Sequence, residues 1–182
     1  LKNYAKQRTT ETLMTTESKF TDVLFLDIDG VLNSKAWYET NVKEILREGG
    51  TSFWRSVAEL DPGACALVNQ FCEENNLKIV ISSTWRKRHD PREIEAMFHK
   101  KGLFAEVIGS TPSINNAPRG REIAEFIKTH PALRIRKYII LDDDSDMLKD
   151  QPFVRTTWAI GVQPENIAEA NEVLRGQLVS AA

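Results

Sequence analysis

Val23-Leu24-Phe25-Leu26-Asp27-Ile28-Asp29-Gly30 decides the fold class, because an uninterrupted apolar run gives way at once to two carboxylates and a glycine. Four consecutive residues of this kind read as a strand buried on both faces, as in a parallel sheet. Gly30 then lets the chain leave the strand and curl, so that Asp27 and Asp29 can face one site. Two anions held together are costly unless a cation compensates them, so the pair points to a divalent metal. The plainer alternative is an acidic turn after a core strand.

Two further stretches repeat this pattern. Lys137-Tyr138-Ile139-Ile140-Leu141 runs into Asp142-Asp143-Asp144-Ser145-Asp146, and Lys78-Ile79-Val80-Ile81 runs into Ser82-Ser83-Thr84. Three such strands in one sheet would bring carboxylates and hydroxyls to a single edge, where open parallel sheets bind ligands.

Between the strands, Asp61-Pro62 and Asp90-Pro91 each combine an N-cap with a first-turn proline. The first helix is expected to carry Ala66, Leu67, Phe71 and Cys72 inward. The second has Glu93 in capping-box position and Ile94, Met97 and Phe98 as its apolar stripe, and Gly102 ends it. Ala105 to Ile108 reads as a weaker strand, and a helix from about Arg119 buries Ile123, Phe126 and Ile127. Val154 to Ile160 reads as a fifth strand and Pro164 to Leu174 as the closing helix. Alternation of strand and helix predicts an α/β fold of three layers, Rossmann-like, with a mainly parallel five-stranded sheet and helices on both faces.

A chain of 182 residues with 41% hydrophobic content suffices for one proper core. Its net charge of −2 supplies no global attraction to nucleic acid or membrane, so any polyanion binding must be local. Cys65 and Cys72 fall on one face of a predicted helix, about 10 Å apart along its axis, too far for a disulfide. They read as thiols of a reducing compartment, and the cytoplasm is the expected location. His89, His99 and His130 are scattered and are assigned to surface or helix-end positions. No apolar stretch approaches a membrane span, no signal peptide is visible, and nothing calls for an obligate protein partner. Residues 1–20, rich in Thr, Lys and Glu and without an apolar period, read as a flexible tail.

Taken together, Asp27 to Gly30, Ser82, and Asp142 followed four residues later by Asp146 resemble the motifs of the haloacid dehalogenase (HAD) superfamily of phosphatases. Leu26 to Asn33, Ile81 to Arg86 and Leu141 to Asp144 are most similar to the small HAD domains of phage and bacterial RNA-repair proteins, as is the closing segment from Phe153 to Glu165. The resemblance implies one HAD-like catalytic domain at residues 21–182, in which residues 34–60 form a small flap or cap. Within that insertion, Trp37, Tyr38, Phe53 and Trp54 could stack on a base or merely staple the flap.

What the resemblance implies for the site is specific. Asp27 would attack phosphorus and form an aspartyl-phosphate; Asp29 would protonate the leaving alkoxide and then activate water. Magnesium would be held by Asp27, Asp142 and the Asp29 carbonyl, with Asp143 or Asp146 holding its waters. Either Asp142 or Asp143 can be the direct ligand, since a one-residue shift of the strand end swaps them. Ser82 is preferred to Ser83 as the phosphoryl-binding hydroxyl. The family's usual Lys-Gly step reads Arg119-Gly120 here, and Arg119 is preferred to Arg121 and to Lys137, which would stand roughly 16 Å away at the wrong end of its strand. Gly30, Ser83 and Arg86 are expected to contact substrate, Arg86 as the nearest of a basic group with Lys87, Arg88 and Arg92.

The short insertion implies an open site suited to a bulky substrate. A phosphorylated nucleotide or nucleic-acid end, with removal of a 3′-phosphate foremost, is therefore expected. A small phosphometabolite, or a non-catalytic module that binds phosphorylated ends or a protein, are the alternatives.

Overall fold

The apolar run at residues 23–26 forms the centre of a sheet. In the computed structural model, which describes residues 20–47 and 49–179, β1 (Thr21–Leu26) pairs in parallel with β2 (Leu77–Ile81) on one side and β4 (Ile135–Asp142) on the other. The outer strands are β3 (Val107–Ser110), beside β2, and β5 (Phe153–Arg155), beside β4. All four pairings are parallel and the order is β3-β2-β1-β4-β5. The expected tail lies outside the described residues except for Phe20.

Alternate residues of the strands feed two cores, as a sheet covered on both faces requires. Leu24, Leu26, Ile79, Ile81, Ile139 and Leu141 pack on the side of α4 (Pro62–Asn75), α5 (Pro91–His99) and α7 (Pro164–Val179). Val23, Phe25, Val80 and Ile140 face α6 (Arg119–Thr129), whose Ile123 and Phe126 complete a smaller core.

The insertion is helical: α1 (Lys35–Trp37), a π-helical turn (Tyr38–Val42), α2 (Lys43–Arg47) and α3 (Ser52–Glu59). Three of its four aromatics hold it together. The Trp37 indole donates to the Ala58 carbonyl (3.1 Å) beneath the ammonium of Lys101. Phe53 meets Trp54 edge to face, and Lys100 lies over Trp54.

Local signals predicted the helix starts, and tertiary context altered the details. Asp61 and Asp90 cap α4 and α5. Glu93 does not close a capping box; its carboxylate lies 3.4 Å from Nδ1 of His89. The phase of α4 turns Ala64, Cys65, Val68, Phe71 and Cys72 inward, leaving Ala66 exposed, contrary to expectation. His89 is buried against Ser56 rather than at the surface. Strand β3 begins two residues later than expected. Strand β5 stops at Arg155 because the chain folds back on Thr157, whose carbonyl accepts from Ile160 (3.3 Å) and Gly161 (2.9 Å). Trp158 and Ile160 are consequently exposed rather than part of a strand. Helix α7 runs five residues beyond the expected Leu174. Among the described residues, no helix is long and apolar enough to cross a membrane.

Candidate active site

Each strand hands its polar residues to the same edge. The amide of Asp27 donates to Leu141 (3.0 Å), that of Ser82 to Leu26 (2.9 Å), and that of Thr156 to Asp142 (2.9 Å). Backbone pairing thus continues one residue past the strands and lines these positions up. Successors of β1 in the chain, β2 and β3, lie to one side of it, while β4 and β5 lie to the other. Asp27 and Asp142 therefore flank the crevice where the order of an open α/β sheet switches, the usual place for a ligand.

Carboxylate oxygens of Asp27, Asp142 and Asp143 lie within 4.8 Å of one another. Burial, then the neighbouring charge of Asp27, pushes the Asp142 carboxyl well above the usual carboxylate range. Asp143 is raised by the same two causes in the same order. Oδ2 of Asp142 is buried without a hydrogen bond. Three carboxyl groups crowded together, two of them buried, and each more easily ionised beside a cation, are hard oxygen donors that fit a divalent ion.

Arg119 supplies the positive charge within the protein. Its Nη1 lies 3.1 Å from Asp27 Oδ1 and 3.1 Å from Asp142 Oδ2, and it donates to the Ser82 carbonyl (2.8 Å). Burial alone would lower its pKa, but Asp27 and Asp142 outweigh burial and raise it. Lys137 stands at the opposite end of β4 with its Nζ 3.6 Å from Asp22, and Arg121 is exposed. Asp146 is not in the carboxylate cluster. Its Oδ2 accepts the Arg119 amide (2.8 Å) and its carbonyl the Gly120 amide (3.3 Å), so it anchors the start of α6, where Pro118 offers no cap.

The two serines divide in a similar way. Ser83 Oγ accepts the Trp85 amide and caps the short 3₁₀ turn Thr84–Lys87. Ser82 is fully buried, and its hydroxyl has no partner among the described residues.

Asp29 is held from two directions, by Asn33 Nδ2 (2.8 Å to Oδ1) and by the Trp85 indole (3.1 Å to each oxygen). Gly30 adopts φ +73°, and a Cβ there would overlap the Asp143 carboxyl. Its amide donates to Asn33 Oδ1 (3.0 Å) and its carbonyl accepts from Thr156 Oγ1 (2.7 Å). Gly30, expected as a substrate contact, also makes room for Asp143.

Arg86 lies beside the site, lining a cleft with Arg119, and is bound on its other side within the protein. Its side chain is 6% exposed, Nη1 donates to the carbonyls of Ser82 and Ser83 (2.6 Å each), and Nη2 pairs with Glu122. Glu122 in turn accepts the Ile114 amide (2.9 Å). Arg86 thus braces the end of β2 against α6, and Lys87, Arg88 and Arg92 are the exposed members of that basic group.

Sequence reasoning did not single out Trp85, Glu122, Glu59 or Trp158. A signal existed for Trp85, which lies within the serine motif. Glu59 and Trp158 meet Asp29, Asn33, Tyr38 and Leu46 around a cavity of about 230 Å³ on the flap side. Burial, then the charge of Asp29, raises the Glu59 carboxyl.

A doubly covered parallel sheet whose C-terminal edge carries this constellation defines a HAD-type domain. The chain matches, over residues 23–167, the family described as the HAD domain in Swiss Army Knife RNA repair proteins, and it belongs to that family. No curated protein and no solved structure matches it.

Proposed function

We propose that the chain is a magnesium-dependent phosphomonoesterase acting on a nucleotide or nucleic-acid terminus, foremost a 3′-phosphate, with its catalytic unit at residues 21–182 and its flap at 34–60. The observation that carries this reading is Arg119 lying between Asp27 and Asp142 at the carboxyl edge, with the orphan hydroxyl of Ser82 beside it. The family's description as a domain of RNA repair proteins supports the choice of substrate.

In this mechanism Asp27 attacks phosphorus as the bond to the ester oxygen breaks, giving an aspartyl-phosphate. Asp29 gives its proton to the departing oxygen and then takes one from the water that hydrolyses the acyl-phosphate, returning Asp27 to a carboxylate. Asn33 and Trp85 aim Asp29 for both steps. Arg119 and Ser82 hold the non-bridging oxygens, the guanidinium offering a fork suited to them. Asp27, Asp142 and the main-chain carbonyl of Asp29 would hold magnesium, with Asp143 at its edge; when bound, the ion supplies charge that offsets the carboxylates and the phosphoryl group.

The test is phosphate release, with and without magnesium, from 3′- and 5′-phosphorylated oligonucleotides, mononucleotides and sugar phosphates. Preference for the 3′-phosphorylated end and loss of turnover in Asp27→Asn are expected. Turnover that persists in Asp27→Asn sinks the covalent mechanism, and preference for sugar phosphates overturns the substrate assignment.

A further inference from the structure

Asp29 belongs both to the acidic edge and to the wall of the flap-side cavity, which puts that cavity next to the group proposed to protonate the leaving oxygen. Two large aromatic side chains from different elements open onto it. Tyr38 begins the π-helical turn of the flap and is 40% exposed; Trp158 sits in the turn after β5 and is 46% exposed. Among the described residues neither ring takes part in a ring or cation contact, in contrast to the stapled Trp37, Phe53 and Trp54.

Their backbones are nevertheless fixed to one another. Lys35 donates to the Trp158 carbonyl (2.8 Å) and Ala36 to the Ala159 carbonyl (3.2 Å), so the turn that bears Trp158 is tied to the helix that leads into Tyr38. Gly161, at φ +72°, lets this turn press on the loop after Asp29, where a Cβ would stand 3.0 Å from the Val31 carbonyl.

We propose that this cavity is a nucleoside subsite, which takes the sugar and base bearing the leaving oxygen of an unpaired polynucleotide end and seats the base against Tyr38 and Trp158. The inference rests on the phosphatase reading above. Size and charge both select this occupant. At about 230 Å³ the cavity is smaller than the roughly 300–1,000 Å³ of drug-sized sites, enough for one nucleoside and too small for a base pair. Its lining includes the carboxyl groups of Asp29 and Glu59 and no cation, which favours a neutral body over a second phosphate. Beyond Glu59, an adjoining cleft is lined by Arg55 and Arg88, cations suited to the next phosphate of a strand.

The experiment compares kcat/KM for a 3′-phosphorylated oligonucleotide with that for the same strand ending in an abasic residue. Glycerol 2-phosphate serves as a substrate without a base. Wild-type protein should prefer the base-bearing end by roughly tenfold, the effect of one stacked base. Tyr38→Ala and Trp158→Ala should bring the two ends together, chiefly through KM. Equal wild-type rates on the two ends, with glycerol 2-phosphate still hydrolysed, overturn the subsite and leave the phosphatase reading standing. If no phosphate ester is hydrolysed, that reading fails, and tryptophan fluorescence of Asp27→Asn titrated with the 3′-phosphorylated oligonucleotide decides the subsite. Quenching that disappears with Trp158→Phe supports it; quenching that is absent, or unchanged by that substitution, overturns it.

Discussion

The indole Nε1 of Trp85 lies 3.1 Å from both carboxylate oxygens of Asp29, while its ring is buried in the larger core. The core itself thereby orients the group proposed as acid and base. Trp85→Phe keeps most of the packing and removes the donor. A hydrogen bond to a charged group contributes about 1.5–3 kcal/mol, so kcat on an alkyl phosphate should fall roughly 10- to 100-fold. An aryl phosphate, whose leaving group needs no proton, should lose less. Equal losses on the two substrates would place Trp85 in the scaffold alone.

Arg119→Met leaves Asp27 and Asp142 facing one another without their shared partner, in a place where the arginine is only 11% exposed. Breaking a buried pair from one side costs about 3–5 kcal/mol. Thermal unfolding without divalent cations should show that loss, and added magnesium should restore part of it by binding the folded state. Restoration by sodium chloride to the same extent would argue against a specific ion site.

Arg86→Met should lower stability by a similar 3–5 kcal/mol, because it strands the buried Glu122. Adding Glu122→Gln should recover much of that loss, which urea midpoints of the single and double variants would measure. A substrate-contact role predicts the opposite pattern, a raised KM with unchanged stability.

Burial pushes the thiols of Cys65 and Cys72 from an ordinary 9.0 up to about 12. Both should resist a thiol reagent at pH 8 until denaturant is added. Their folded-state pKa values are raised, so their contribution to stability is complete below pH 9.0 and is lost as pH rises through about 12. Denaturation midpoints should therefore fall on the alkaline side of pH 9. A shallower fall in Cys65→Ala/Cys72→Ala than in the parent protein would isolate the effect, the remainder coming from Tyr138, whose hydroxyl pKa burial also raises.

The sequence makes legible whatever is written locally. Val23 to Leu26 is uniformly apolar because both faces of β1 are covered, and Asp61-Pro62 carries its own helix start. That Lys137 stands at the far end of its strand, beside Asp22, followed from the rise per residue of a strand. The pairing of Arg86 was not legible because its partner is 36 positions away, and nothing near it in sequence reveals that Glu122 is buried. Trp158 was hidden inside a run whose composition resembles a strand, yet an edge strand with no outer neighbour has little to hold it extended. Asp146 keeps the family spacing, but the lack of a capping side chain at Pro118 gives it another task in this chain.

The hydrogen bond from Thr156 to the Gly30 carbonyl spans 126 positions of sequence. Every group proposed for the chemistry precedes its donor in the chain, yet the glycine turn is clasped only once β5 has docked at the sheet edge. Closure of so long a loop comes late and slowly. During synthesis, then, a polypeptide that has not yet reached Thr156 already holds both carboxylates of the Asp27-to-Gly30 turn but lacks the bond that clasps that turn to the far edge of the sheet.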